Sequence, residues 1–130
     1  MTLPPDIDRI HALANQALDT LPDAIRKAAG DILLRVADWP DEGMLADLGI
    51  EEPLELTGLY EGIPLTEKSV MDVVQQPDTI WLFRRPILDE WAERGDVTLK
   101  ALVGHILVHE MAHHFGWSDA QIAAIDPWWE

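Results

Sequence analysis

The stretch LVGHILVHEMAHHFGWSD, from Leu102 to Asp119, contains the pattern H-E-x-x-H at His109, Glu110 and His113. Residues four apart on an α-helix lie one above the other on the same face, so two imidazoles at this spacing can bind one metal ion from one side. The glutamate after the first histidine can then act as general base on a metal-bound water. The motif therefore predicts a hydrolytic zinc site with His109 and His113 as ligands and Glu110 as the catalytic base.

The residues around the motif favour a helix. Asp96 or Thr98 is a suitable N-cap, and Gly116 is suited to end the helix after Phe115. No proline interrupts this segment, and apolar side chains surround the motif at Leu102, Val103, Ile106, Leu107, Met111 and Phe115. The sequence therefore places the histidines on a packed helix.

A hydrolytic zinc site needs a third protein ligand and an open position for water. Gly116 lies three residues after His113, and Asp119 three residues further on, which gives H-E-x-x-H-x-x-G-x-x-D. A turn made by Gly116 can bring Asp119 back toward the metal, so Asp119 is the predicted third ligand. Asp119 also suits the first turn of a following helix, because Ser118 and Gln121 form a capping-box pattern. The two roles are compatible.

Three further residues are candidates for a supporting role. His105 lies one turn before His109 on the same face, and His114 points about 100° away from His113. His105 is predicted to pack beside the metal ligands or to support them rather than to bind the metal. His114 is predicted to be hydrogen-bonded or exposed. Tyr60, the single tyrosine, and His114 are candidate donors to a transition-state oxyanion.

Three segments together resemble the minimal-zincin family of small bacterial metallopeptidases: HEMAHHFGWSD at 109–119, GLYEGIPLTEKS at 58–69 and PDTIWLFRRPI at 77–87. The resemblance implies a compact zincin-like α+β fold, one zinc ion held by His109, His113 and Asp119, and Glu110 as base. The ligand spacing is also similar to that of metzincins. It departs from theirs because aspartate replaces the third histidine and no Met-turn follows.

Size and composition indicate one soluble domain spanning residues 1–130. The formal net charge of −15 disfavours nucleic acid and anionic membranes as partners. The chain contains no cysteine, which excludes thiolate metal sites and fits a cytoplasmic protein. No signal peptide or membrane-spanning run is visible. We expect a monomer whose partner is a peptide or protein substrate.

The order of predicted elements is helices, strand, short helix, two strands and helices. Strands are predicted over residues 31–36, 54–61 and 79–84, a helix is predicted to begin at Pro86, and a last helix spans residues 118–125. Residues 65–76 are ambiguous. This partial segregation predicts an α+β fold, with a small mixed sheet of three to four strands packed against helices that include the H-E-x-x-H helix.

Two other functions compete with a zinc metallopeptidase. One is a non-catalytic metal-binding or interaction module that retains the zincin shell. The other is an acidic partner-binding domain without a metal. Neither the substrate nor the cleavage preference can be read from the sequence.

Overall fold

The computed structural model describes residues 4–28, 32–62 and 78–116. The elements in chain order are α1 (Ile7–Asp19), α2 (Asp23–Ala28), β1 (Leu33–Ala37), α3 (Glu42–Leu48), a 3-10 turn (Pro53–Glu55), β2 (Gly58–Glu61), β3 (Thr79–Phe83), α4 (Arg84–Arg94) and α5 (Leu99–Phe115). Helices and strands are partly segregated along the chain. The predicted α+β class is confirmed.

In the described part of the chain, the strands form one mixed sheet in the order β1-β3-β2. β1 runs parallel to β3, with Leu33 opposite Thr79, and β2 runs antiparallel to β3, with Tyr60 opposite Ile80. β2 is therefore an edge of this sheet. The predicted small mixed sheet is confirmed with three strands.

The main core lies between one face of the sheet and the pair α1 and α5. Ile80 and Leu82 of the central strand β3 point into it, because alternate residues of a strand share a face. The two helices add most of the remaining buried side chains: Ile10, Leu13 and Ala14 from α1, and Leu99, Leu102, Val103, Ile106, Leu107 and Met111 from α5. α5 is thus fixed by packing on the sheet and on α1.

Both ends of α5 are capped. The Thr98 hydroxyl accepts a hydrogen bond from the Ala101 amide at 3.0 Å, so Thr98, rather than Asp96, is the N-cap. Gly116 takes the left-handed conformation (φ 69°), and its amide donates to carbonyls of the last turn. The predicted end of the helix at Gly116 is confirmed.

Several predicted boundaries were wrong. Only the second half of the predicted strand 54–61 is extended, because Pro53 starts a 3-10 turn. α4 begins at Arg84, two residues before Pro86, since proline is tolerated in the first turn, where its missing N–H is not needed. The ambiguous segment 65–76 and the predicted last helix 118–125 lie outside the described residues. In the ranges that are described, no helix is both long and apolar enough to cross a bilayer.

Candidate metal centre

α5 presents the two histidines of the motif to solvent. His109 and His113 are exposed, whereas Val108, Met111 and Ala112 beside them are buried. The buried neighbours fix the helix while the imidazoles stay accessible from one side. Two neutral imidazoles one helical turn apart are a donor set that zinc accepts. The described residues therefore fit the predicted role of His109 and His113.

The predicted third ligand, Asp119, lies outside the described residues, so its role stays a prediction. Within residues 4–28, 32–62 and 78–116, no group of three histidine, aspartate or glutamate side chains could hold a metal. The left-handed Gly116 ends α5 directly before the segment that carries Asp119. This is the turn that the predicted ligand set requires.

His105 lies beside His109, with their ring centroids 4.8 Å apart in an edge-on arrangement. On its other side it lines a cleft of about 550 Å³ between α1 and α5, together with Ala17, Leu21, Lys100 and Ala101 among others. His105 thus borders this cleft, whereas His109 and His113 do not line it. The contact of His105 with the His109 ring is compatible with the predicted packing of His105. The side chain of His114 lies outside the described part of the structure.

Glu110 lies on the side of α5 that faces β2. A Cβ built on Gly58 of β2 would be 3.2 Å from Glu110 Cγ and 2.8 Å from Ile106 Cγ2, so only glycine permits this approach. Burial here raises the pKa of the Glu110 carboxyl. The charges that His113 and His109 carry when they are protonated, and a hydrogen bond from the Tyr60 backbone amide, act in the opposite direction. Glu110 is thereby a half-buried acid with an elevated proton affinity.

The Tyr60 amide that reaches Glu110 belongs to the outer edge of β2. The Phe83 amide donates to the Thr57 carbonyl at 2.9 Å, which makes this residue pair a hydrogen-bonded one. In an antiparallel ladder such pairs alternate with non-hydrogen-bonded ones, so Gly58 and Tyr60 direct their backbone groups away from β3. Glu110 therefore lies at the edge of β2 that faces away from β3, where none of the described strands pairs.

The Tyr60 side chain lies beside His113 and is held by Asp78. The two ring centroids of Tyr60 and His113 are 6.4 Å apart, and the Tyr60 hydroxyl donates to Asp78 Oδ2 at 2.8 Å. Burial, followed by this hydrogen bond and the charge of Asp78, raises the pKa of the Tyr60 hydroxyl above its ordinary range. Tyr60 thus touches both the proposed base and a proposed ligand.

Asp78 is a residue of the site that its sequence context does not predict. It is the single polar residue among the buried described residues, with 7% of its surface exposed. A lone aspartate before a strand belongs to no metal or catalytic motif, so its sequence context gives no signal. Only the pairing of β2 with β3 shows that it lies near Tyr60.

None of the curated proteins compared with this chain matches it. A family profile described as zincin-like metallopeptidase matches residues 29–129. This match includes both strands β2 and β3 and the whole of α5, and the resemblance inferred from the motif agrees with it. The chain therefore belongs to the zincin-like metallopeptidase family, whose members are expected to bind zinc.

Proposed function

We propose that the protein is a zinc-dependent peptide-bond hydrolase with Glu110 as its general base. The observation that carries this proposal is the position of Glu110. Its carboxylate lies at the edge of β2, close to two exposed imidazoles at metal-ligand spacing. A solvated surface glutamate would have neither the burial nor the strand amide as a partner.

His109, His113 and Asp119 would hold the metal. When bound, zinc would supply Lewis-acid polarisation of the substrate carbonyl and would lower the pKa of water. Glu110 would take a proton from the attacking water and pass it to the leaving amine. Burial raises the pKa of Glu110, which strengthens it as a proton acceptor and also makes it able to return the proton.

The substrate would be an extended peptide that pairs with the outer edge of β2. Gly58 directs its backbone groups to this edge, and strand addition uses such groups to align a peptide. A peptide paired there would lie beside Glu110. The net charge of −15 favours basic or neutral peptides over acidic ones.

Glu110→Gln tests the proposal because glutamine has nearly the same shape and can still accept a hydrogen bond from the Tyr60 amide. We expect the variant to bind one zinc ion but to lose peptidase activity by about 100-fold or more, as removal of a general base costs roughly 10²–10⁴-fold. Zinc content is measured on purified protein, and cleavage with a broad peptide library.

Glu93→Gln is the matched control, since it makes the same charge change at an exposed position of α4. Its activity should equal that of the wild type. A wild type that binds zinc but cleaves no peptide in the library would contradict the proposal and support the non-catalytic metal-binding module. Equal activity of Glu110→Gln and the wild type would remove Glu110 as the base.

A further inference from the structure

We propose that Asp78 is a positioning residue for the site: its buried carboxylate holds the Tyr60 hydroxyl and so fixes the β2 residue that contacts both Glu110 and His113. This inference rests on the proposed function, because it assigns a role within the same site. It gives Asp78 a role that its sequence context does not indicate.

Asp78 and Tyr60 form a closely packed pair on the helix-facing side of the sheet. Their hydrogen bond of 2.8 Å joins residues 18 apart in the chain, across the connection between β2 and β3. A Cβ at Gly62 would be 2.4 Å from Asp78 Oδ1 and 2.8 Å from the Tyr60 hydroxyl oxygen. The pair therefore packs directly against a residue without a side chain, and a side chain at position 62 would displace it.

Tyr60 transmits this restraint to the site through two separate contacts. Its ring lies 6.4 Å from the ring of His113, and its backbone amide donates to the Glu110 carboxylate. β2 is only four residues long, and Tyr60 is its third residue. Among the described strands, β2 pairs with β3 alone. The hydroxyl bond to Asp78 is thus an anchor that keeps the end of a short edge strand against α5.

A direct catalytic role of the Tyr60 hydroxyl predicts a different pattern. A tyrosine hydroxyl has one proton to donate, and here that proton goes to Asp78. If the hydroxyl instead stabilised an oxyanion during the reaction, Asp78→Ala would free it for that role. Tyr60→Phe would then lose activity while Asp78→Ala kept it. A positioning role requires both variants to lose activity together.

The first experiment needs neither zinc nor substrate. Hydrogen exchange of the residue-60 amide is measured by NMR in chelator-treated protein. Tyr60→Phe and Asp78→Ala should each accelerate it by about tenfold, as expected for the loss of one hydrogen bond. In Asp78→Asn the residue-60 amide should exchange as slowly as in the wild type, because the asparagine side-chain oxygen can still accept a hydrogen bond from the Tyr60 hydroxyl.

Asp38→Ala is the matched control. Asp38 also accepts a side-chain hydrogen bond, in this case from Arg84 at 3.1 Å. It lies in a different part of the fold from Tyr60. The residue-60 amide should exchange in this variant as in the wild type. Unchanged exchange in both Tyr60→Phe and Asp78→Ala would overturn the positioning role. If Asp78→Ala fails to fold, Tyr60→Phe and Asp78→Asn still decide it.

The second experiment measures kcat, KM and zinc affinity of the same variants. Loss of a partner that orients a metal-site residue typically costs about 10–100-fold, so Tyr60→Phe and Asp78→Ala should each lower kcat or zinc affinity by that factor. KM should change little, and Asp78→Asn should recover most of the loss. The double variant Tyr60→Phe/Asp78→Ala should be no worse than either single variant, because both remove the same bond.

The outcomes separate this inference from the proposed function. Loss in Tyr60→Phe with full activity in Asp78→Ala, or additive losses in the double variant, would overturn the positioning role while leaving the hydrolase intact. A wild type without peptidase activity would instead overturn the proposed function. The exchange and zinc-affinity measurements do not require peptidase activity, so they would still decide the role of Asp78.

Discussion

At the scale of single residues, Glu110 is an acid whose carboxyl is partly removed from water. Burial raises the pKa of its carboxyl despite the nearby imidazoles. The folded state therefore binds this proton more tightly than the unfolded chain does. The resulting stabilisation is complete below the ordinary glutamate pKa of about 4.3 and is lost as pH rises through the elevated pKa of the folded state.

This gives a prediction for the metal-free protein. Glu110→Gln should unfold at a higher temperature than the wild type at pH 7, because it avoids a buried charge. The difference should shrink as pH falls and become small at about pH 4, where most of the glutamate is protonated in both states. Thermal melts of both proteins in chelator from pH 4 to 7 measure it. A constant difference across this range would contradict the elevated pKa.

The residues of the site differ in whether the neighbouring sequence alone could predict their roles. His109, Glu110 and His113 could be predicted because one helix fixes their spacing, and the structure presents both histidines to solvent. Tyr60 was a candidate only as the single tyrosine, without a predicted contact. Asp78 could not be predicted, since its role depends on the register of β2 against β3. A pairing between strands 18 residues apart leaves no periodic pattern in the sequence.

At the scale of elements, the contact between β2 and α5 depends on Gly58. Gly58→Ala would bring a Cβ within 2.8 Å of Ile106 Cγ2 and within 3.2 Å of both Glu110 Cγ and the Trp81 carbonyl oxygen. β2 would have to move away from α5, and overpacking of this kind costs about 1–3 kcal/mol. We expect lower stability in urea unfolding together with reduced activity, because Glu110 lies at this contact.

Gly43→Ala is the control, because Gly43 lies on α3, away from the site. The nearest atom to its new Cβ would be a carboxylate oxygen of Asp41 at 3.3 Å. Gly43→Ala should change neither activity nor zinc affinity. Full activity in Gly58→Ala would show that the site tolerates displacement of β2.

The two caps of α5 allow stability and metal binding to be separated. Thr98→Ala removes the N-cap hydrogen bond, and Gly116→Ala places a side chain at φ 69°; each should cost about 1 kcal/mol or slightly more. Only Gly116→Ala should also weaken zinc binding, because the proposed ligand Asp119 follows this turn by three residues. Urea unfolding in chelator and zinc titration measure the two effects. Equal zinc affinity of the two variants would argue against Asp119 as a ligand.

The elements could be predicted where local signals agree. Caps at Thr98 and Gly116 and an apolar helix without proline define α5, whose end was correctly placed. The strand predicted over 54–61 was too long because its apolar alternation begins inside a 3-10 turn at Pro53. Periodicity alone cannot distinguish a turn of three residues from the start of a strand. The strand order is also absent from the sequence, since it depends on long-range pairing.

At the scale of the whole molecule, the core and the proposed metal centre occupy separate regions. The core joins α1, the sheet, α4 and α5 through apolar contacts such as those of Ile10, Leu82, Ile87 and Leu107, all buried. His109 and His113 lie on the exposed face of α5. We therefore expect folding of the described domain not to depend on the metal in the way that folding of a zinc finger does.

Removing zinc should consequently lower stability without unfolding the protein. A ligand that binds only the folded state stabilises it by about 2.7 kcal/mol at a free concentration of 100 times its Kd. Adding chelator should lower the melting temperature reversibly while the far-UV circular dichroism stays unchanged at 25 °C. His113→Ala should lose the zinc-dependent shift, whereas His11→Ala, a histidine of α1 hydrogen-bonded to Asn15, should keep it. Loss of helical signal on chelation would contradict this separation, because it would mean that the metal, rather than the apolar core, holds α5 against the sheet.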